Sequence, residues 1–158
     1  MKTLIIYGSK HGCTEFCAKQ LKDKLLGEVT IVNTQKENSP DLKSYENIII
    51  GGSIYVGKIQ KEISNFCNEN LQILKNKKLG LFTCGMNKDN SISELESSFP
   101  KELVDKAVIK ECFGGEFIFK KLNFMEKLIV RVITKNNKDV TTVNAEKIQC
   151  FAQAMNRI

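Results

Sequence analysis

The sequence predicts an α/β fold: a doubly wound, five-stranded parallel sheet in the order 2-1-3-4-5, with helices on both faces. Three observations predict it. Short apolar runs alternate with longer amphipathic ones, the pattern of parallel strands joined by crossover helices. The run Ile48-Ile49-Ile50 has no polar residue in it, as expected of a strand covered on both sides. The chain has 158 residues, which suits one domain (1–158) built on one core.

The elements follow in order. Thr3-Leu4-Ile5-Ile6-Tyr7 reads as a buried strand, and the helix after it carries Cys17, Ala18, Leu21 and Leu25 on one stripe. Residues 28–32 alternate with β-branched side chains and predict the second strand. Residues 33–44 are polar, contain Pro40 and read as a connection. Residues 46–52 form the third strand, followed by a loop at Ser53-Ile54-Tyr55-Val56-Gly57. A helix is expected over 59–74, with Ile59, Ile63, Phe66, Cys67, Leu71 and Leu74 on one face. Residues 78–83 form the fourth strand and run into the polar loop Cys84-Gly85-Met86-Asn87-Lys88-Asp89. Ser91-Ile92-Ser93-Glu94 resembles a capping box, and Pro100 ends or restarts the helix that it opens. The fifth strand lies within 107–117, broken by Gly114-Gly115. The last helix runs from about 144 to 156 with Ile148, Phe151, Ala152 and Met155 facing inward.

The chemistry concentrates at Ser9-Lys10-His11-Gly12-Cys13-Thr14, between the first strand and the first helix. A helix start has backbone N–H groups without partners and a dipole that favours an anion. Ser9 and Thr14 add hydroxyl donors, and Gly12 lets the backbone come close. The loop is neither a Walker A sequence nor a dinucleotide fingerprint, because both glycine spacings are wrong. An ordinary strand-to-helix turn with a Ser/Thr cap is the alternative. In the 2-1-3-4-5 order, ligands bind beyond the carboxyl ends of the strands, where the order reverses. The loops 9–14, 53–57 and 83–89 all fall there. Tyr55 is placed to stack on a flat ring, or else to anchor its own loop. Backbone groups of Thr83, Cys84, Gly85 and Met86 are placed to reach a ring's polar edge. One phosphate loop suits a mononucleotide better than a dinucleotide, so the expected cofactor is FMN. A receiver domain is excluded, since Gly8-Ser9 and Gly52-Ser53 stand where its acidic residues belong.

Composition bounds the rest. No apolar run approaches the roughly 20 residues that span a bilayer. Met1-Lys2 leads directly into the first strand, which predicts no export signal and a cytoplasmic location. The net charge is +6 and the pI about 9.0. That balance fits an acidic partner, an anionic surface or simply a Lys-rich solvated exterior. Nucleic acid is not expected, because the lysines are dispersed and aromatics are sparse among them. Six cysteines are present, none in a C-x-x-C pair. Disulfides are not expected in such a chain, and neither is a metal, since Cys13-x3-Cys17 has no partner cluster and His11 is the sole histidine. Cys13, near a helix start, is a candidate for a lowered thiol pKa.

Ser9, His11, Gly12 and Thr14 occupy the slots of the phosphate loop Thr-x-Thr-Gly-x-Thr, so the chain resembles the flavodoxin superfamily. His11 departs from that pattern. Within the superfamily, Ile50-Gly51-Gly52-Ser53-Ile54-Tyr55-Val56-Gly57-Lys58, the start of the chain and residues 115–129 are similar to the flavodoxin-like protoporphyrinogen dehydrogenases. That resemblance implies FMN chemistry with menaquinone as acceptor, an anionic porphyrin-type substrate, and an insert that serves them. No acid/base residue is identified for such a reaction. The alternative is a flavodoxin that shuttles electrons between redox proteins. The insert, about 118–138, places Leu122, Met125, Ile129 and Val132 on one stripe. Lys120, Lys127, Arg131 and Lys135 lie on the other side. A basic amphipathic helix of this kind either packs its stripe on the sheet or lies on the inner face of a membrane.

Overall fold

A computed structural model describes residues 1–134 and 139–157, with the side chains of 133 and 134 left out. Five parallel strands form the platform: β1 (Lys2–Tyr7), β2 (Glu28–Asn33), β3 (Asn47–Tyr55), β5 (Lys78–Cys84) and β6 (Ile109–Cys112), in the order β2-β1-β3-β5-β6. Counting parallel strands only, this is the expected 2-1-3-4-5. β4 (Lys58–Ile59) folds back antiparallel on the end of β3.

Alternation along the strands divides the core in two. Leu4, Ile6, Ile48, Ile50, Leu79 and Leu81 point to one face, under α2 (Lys61–Glu69), α3 (Leu71–Leu74), α4 (Ser91–Ser98) and α5 (Lys101–Lys106). Ile5, Tyr7, Ile49 and Phe82 point to the other, under α1 (Cys13–Lys22) and α7 (Ala145–Asn156). On that side Phe82 stacks on Phe113 with centroids 4.9 Å apart, and Phe151 meets both rings edge-on. Asn144 caps α7 by accepting from the N–H groups of Glu146 and Lys147.

Several elements depart from expectation. β3 runs on to Tyr55 instead of stopping at 52, so the expected loop 53–57 is half of a tight hairpin. Its turn places Val56 at φ 50° and Gly57 at φ 71°. Ile59 belongs to β4 and not to the helix, which begins at Lys61 and breaks at Asn70. The capping box at 91–94 does not form. Asn90 holds the cap position without a side-chain bond, and the Glu94 carboxylate accepts from Asn87 instead.

After β6 the chain makes an excursion. β7 (Glu116–Phe117) pairs antiparallel with β8 (Val140–Thr141). Between them lie a 3-10 turn at Phe119–Lys121 and α6 (Phe124–Thr134). The expected apolar stripe of this helix does not pack on the sheet. Leu122 is buried, but Met125 and Val132 are exposed, together with Phe124 and Leu128. Glu126 and Val130 are the residues that face inward. Lys135 lies outside the described residues.

Candidate functional site

The carboxyl ends of β1, β3 and β5 open onto one cleft of about 250 Å³. The loop after β1 supplies Lys10, His11 and Cys13. The β3–β4 hairpin supplies Ser53, Ile54, Tyr55, Lys58 and Ile59. Cys84, Gly85 and Met86 come from the end of β5. A fourth wall, Gly115-Glu116-Phe117, comes from the chain after β6, and sequence spacing gave no sign of it. Val56 and Gly57 miss this cleft and line an adjacent cavity of about 560 Å³, which Tyr55 and Met86 also border and which α6 closes with Ile129 and Val130.

Ser9, Gly12, Thr14 and Thr83 do not line the cleft, and the first three have a structural part. Ser9 Oγ accepts from the Gly12 N–H at 3.0 Å. That bond holds Gly12 at φ 95°, a left-handed conformation in which a side chain is strained. Thr14 is buried, and its hydroxyl shares a 2.8 Å hydrogen bond with Ser53 Oγ, tying α1 to the hairpin. α1 itself starts with no side-chain cap. Its first-turn N–H groups therefore have no capping side chain, as an anion site requires. Gln60 bridges the loop and the hairpin. Its Oε1 accepts from the Ser53 N–H at 2.8 Å, and its Nε2 donates to the Gly8 carbonyl at 3.2 Å.

Thr83 Oγ1 and Tyr55 Oη are buried with no hydrogen-bond partner among the described residues. An unmade bond to a buried hydroxyl costs about 1–3 kcal/mol. The Gly85 N–H, expected to face a ring edge, is already donated to the Gly114 carbonyl at 3.0 Å.

Charge is concentrated at the mouth. Glu126 of α6 is 4% exposed. Its carboxylate receives Lys10 Nζ at 3.1 Å and His11 Nε2 at 2.5 Å. Burial pushes the Glu126 carboxyl upward, but the Lys10 and His11 hydrogen bonds more than offset that and hold it below its ordinary range. Lys121 Nζ donates to the His11 carbonyl at 3.4 Å. Lys10 Nζ also lies 5.1 Å from the Tyr55 ring centroid, within cation–π range. Burial first, and Glu126 second, raise the Tyr55 phenol above its usual value. Neither Glu126 nor Lys121 was visible as a site residue in the sequence, because no local pattern joins positions 115 apart.

Under the cleft the fold completes a group that spacing left incomplete. The sulfurs of Cys13, Cys17 and Cys84 lie within 4.8 Å of one another. Hydrogen bonds from the other two thiols draw Cys13 below the ordinary thiol range. Cys17 and Cys84 are raised correspondingly, by their bonds to Cys13 first.

A family model described as flavodoxin domain matches residues 4–144, most of the chain. This chain belongs to the flavodoxin-domain family. Oxidised flavodoxin 2 from Bacillus cereus is similar at 23% identity, with 98% of this chain and 97% of that one aligned and a TM-score of 0.64. The Streptococcus pneumoniae TIGR4 flavodoxin is similar at 18% identity over 98% and 97%, with a TM-score of 0.61. The two-electron reduced flavodoxin of Megasphaera elsdenii is similar at 20% identity over 72% and 82%, with a TM-score of 0.55. These likenesses establish the fold. Among curated proteins no sequence relative is matched. Family membership supports FMN as the cofactor and electron transfer as the activity. The residues present fit that group: a helix start with no side-chain cap, an aromatic at the cleft wall, and that aromatic's own unpartnered buried hydroxyl. No helix among the described residues is long and apolar enough to cross a membrane.

Proposed function

We propose that the protein is a flavodoxin-type electron carrier that takes and gives electrons through FMN held in the cleft at the top of β1, β3 and β5. One observation carries the reading: Lys10, His11 and Cys13 after β1, Ser53, Ile54 and Tyr55 of the hairpin, and Cys84, Gly85 and Met86 after β5 line one opening at the switch point of the sheet. In this reading the N–H groups of the loop and the start of α1 hold the phosphate, with Lys10 and Lys121 supplying positive charge and His11 a ring N–H. Tyr55 lies against the ring. Tyr55, whose hydroxyl is unpartnered, also offers it to a polar atom there. FMN supplies one- and two-electron chemistry; the chain supplies placement, exclusion of water and the local field. The test is anaerobic: reduce the FMN-loaded protein with a flavodoxin or ferredoxin reductase and follow transfer to an acceptor protein. Transfer well above the rate given by free FMN is expected. Transfer no faster than free FMN rejects a carrier.

A second reading has an observation of its own. Phe124, Met125, Leu128 and Val132 form an exposed apolar face on α6, with Lys120 and Arg131 exposed nearby. Such a face suits an anionic membrane surface, where each basic residue contributes about 1 kcal/mol. It supports the dehydrogenase reading, with protoporphyrinogen as donor and a quinone as acceptor. Anaerobic turnover of protoporphyrinogen with a menaquinone analogue, measured against free FMN, decides between the two.

A further inference from the structure

We propose that Cys13, Cys17 and Cys84 form a binding site for one soft, thiophilic metal ion, Cu(I) by preference, in the floor of the cleft. All three are free thiols, and their sulfurs lie within 4.8 Å of one another. Three sulfurs about 2.3 Å from an ion at the centre of a plane stand about 4.0 Å apart. The group therefore needs to contract by less than about 1 Å to close on a metal.

The supports are rigid. Cys13 and Cys17 are one turn apart on α1, so their side chains share a face of the helix. Cys84 ends β5, where it pairs in register with Ser53 of β3. No loop has to fold for the three to meet. Two of the ligands, Cys17 and Cys84, are buried among the aromatic and aliphatic side chains of the α1 and α7 core. Cys13 and Cys84 both line the cleft, which provides the way in.

The donor set selects the ion. Three sulfurs with no oxygen or nitrogen among them exclude hard cations and suit Cu(I). Zinc would have to take its fourth ligand from water in the cleft, whereas Cu(I) is satisfied by soft sulfur ligands alone. Binding releases thiol protons to solvent. The negative charge left behind is stabilised by the positive end of α1, which begins at Cys13.

The test uses the full-length, reduced protein carrying Cys150→Ser, since Cys150 is the exposed thiol. Under anaerobic conditions it is titrated with Cu(I) buffered by an excess of a chromogenic chelator. One equivalent taken from the chelator is expected, with three sulfurs at about 2.2–2.3 Å by X-ray absorption. Outer-shell changes alone cost about 10–100-fold in metal affinity, so Cys17→Ser or Cys84→Ser should each cost at least about 100-fold. Cys67→Ser, a buried thiol outside the group, should leave the copper affinity unchanged. No copper retained against the chelator, nitrogen or oxygen in place of sulfur, or unchanged affinity in folded Cys84→Ser overturns the site. The absorption measurement needs no ligand variant, so a variant that fails to fold does not protect the proposal.

Discussion

His11 Nε2 lies 2.5 Å from Glu126 Oε2, although 115 positions separate the two residues in the chain. Glu126 is held ionised, so the proton of this contact sits on Nε2, which donates. With Lys10 on the other oxygen, the pair fastens α6 to the phosphate loop by charge, beside the buried side chain of Val130.

Replacing Glu126 with Gln should therefore loosen α6 and free two donors. The cost in stability is about 1–2 kcal/mol, below that of a fully buried pair because Lys10 is half in water. Affinity for FMN should rise about fivefold, the worth of about 1 kcal/mol, since Lys10 and His11 no longer serve a carboxylate. Denaturant unfolding and quenching of flavin fluorescence measure the two effects.

Acid should act through the same carboxyl. Its folded pKa lies below the unfolded one, so its stabilisation is complete above the ordinary Glu range, near pH 4.3, and is lost as pH falls through the lower folded value. Hydrogen exchange over residues 119–132 should accelerate between about pH 5 and pH 3 relative to the sheet. In Glu126→Gln the ratio of those two exchange rates should stay flat across that window.

Val56 is β-branched and exposed, yet it sits at φ 50° in a two-residue hairpin turn. Asn tolerates this region far better. Val56→Asn should add about 1 kcal/mol, or about 2–4 °C in Tm for a chain of this size. A thermal melt of the flavin-free protein checks it. No gain would mean that the turn is relaxed in solution.

Tyr55 Oη is buried and unpartnered. Tyr55→Phe should stabilise the flavin-free protein by about 1 kcal/mol while leaving the ring in place. Tyr55→Ala should weaken FMN about tenfold through lost stacking. Melts and flavin titrations on the same two variants separate the hydroxyl from the ring.

The sheet was legible because its signals are local and apolar. Leu4-Ile5-Ile6 and Ile48-Ile49-Ile50 are buried on both faces, as their unbroken runs implied. The extent of β3 was misread because the pairing of Tyr55 with Lys58 depends on a turn with no Asn-Gly signature. What holds α6 was not legible for a deeper reason. Periodicity finds apolar stripes, but this helix is tied to the loop after β1 by a buried carboxylate, Glu126. Cys84 joins Cys13 and Cys17 only because β5 ends beside the start of α1, a contact that no ligand spacing encodes.

The pairing of Glu116-Phe117 with Val140-Thr141 has a consequence for how this chain can be altered. Just inside that stem, Thr142 N–H donates to the Gly115 carbonyl and Asn144 N–H to the Phe113 carbonyl, both at 2.8 Å. The two ends of the excursion are thus stapled together independently of what it carries. Splicing an Asn-Gly turn between Phe117 and Val140 should leave the platform standing, which makes the whole appendage a cassette that can be cut out or exchanged without redesigning the body beneath it.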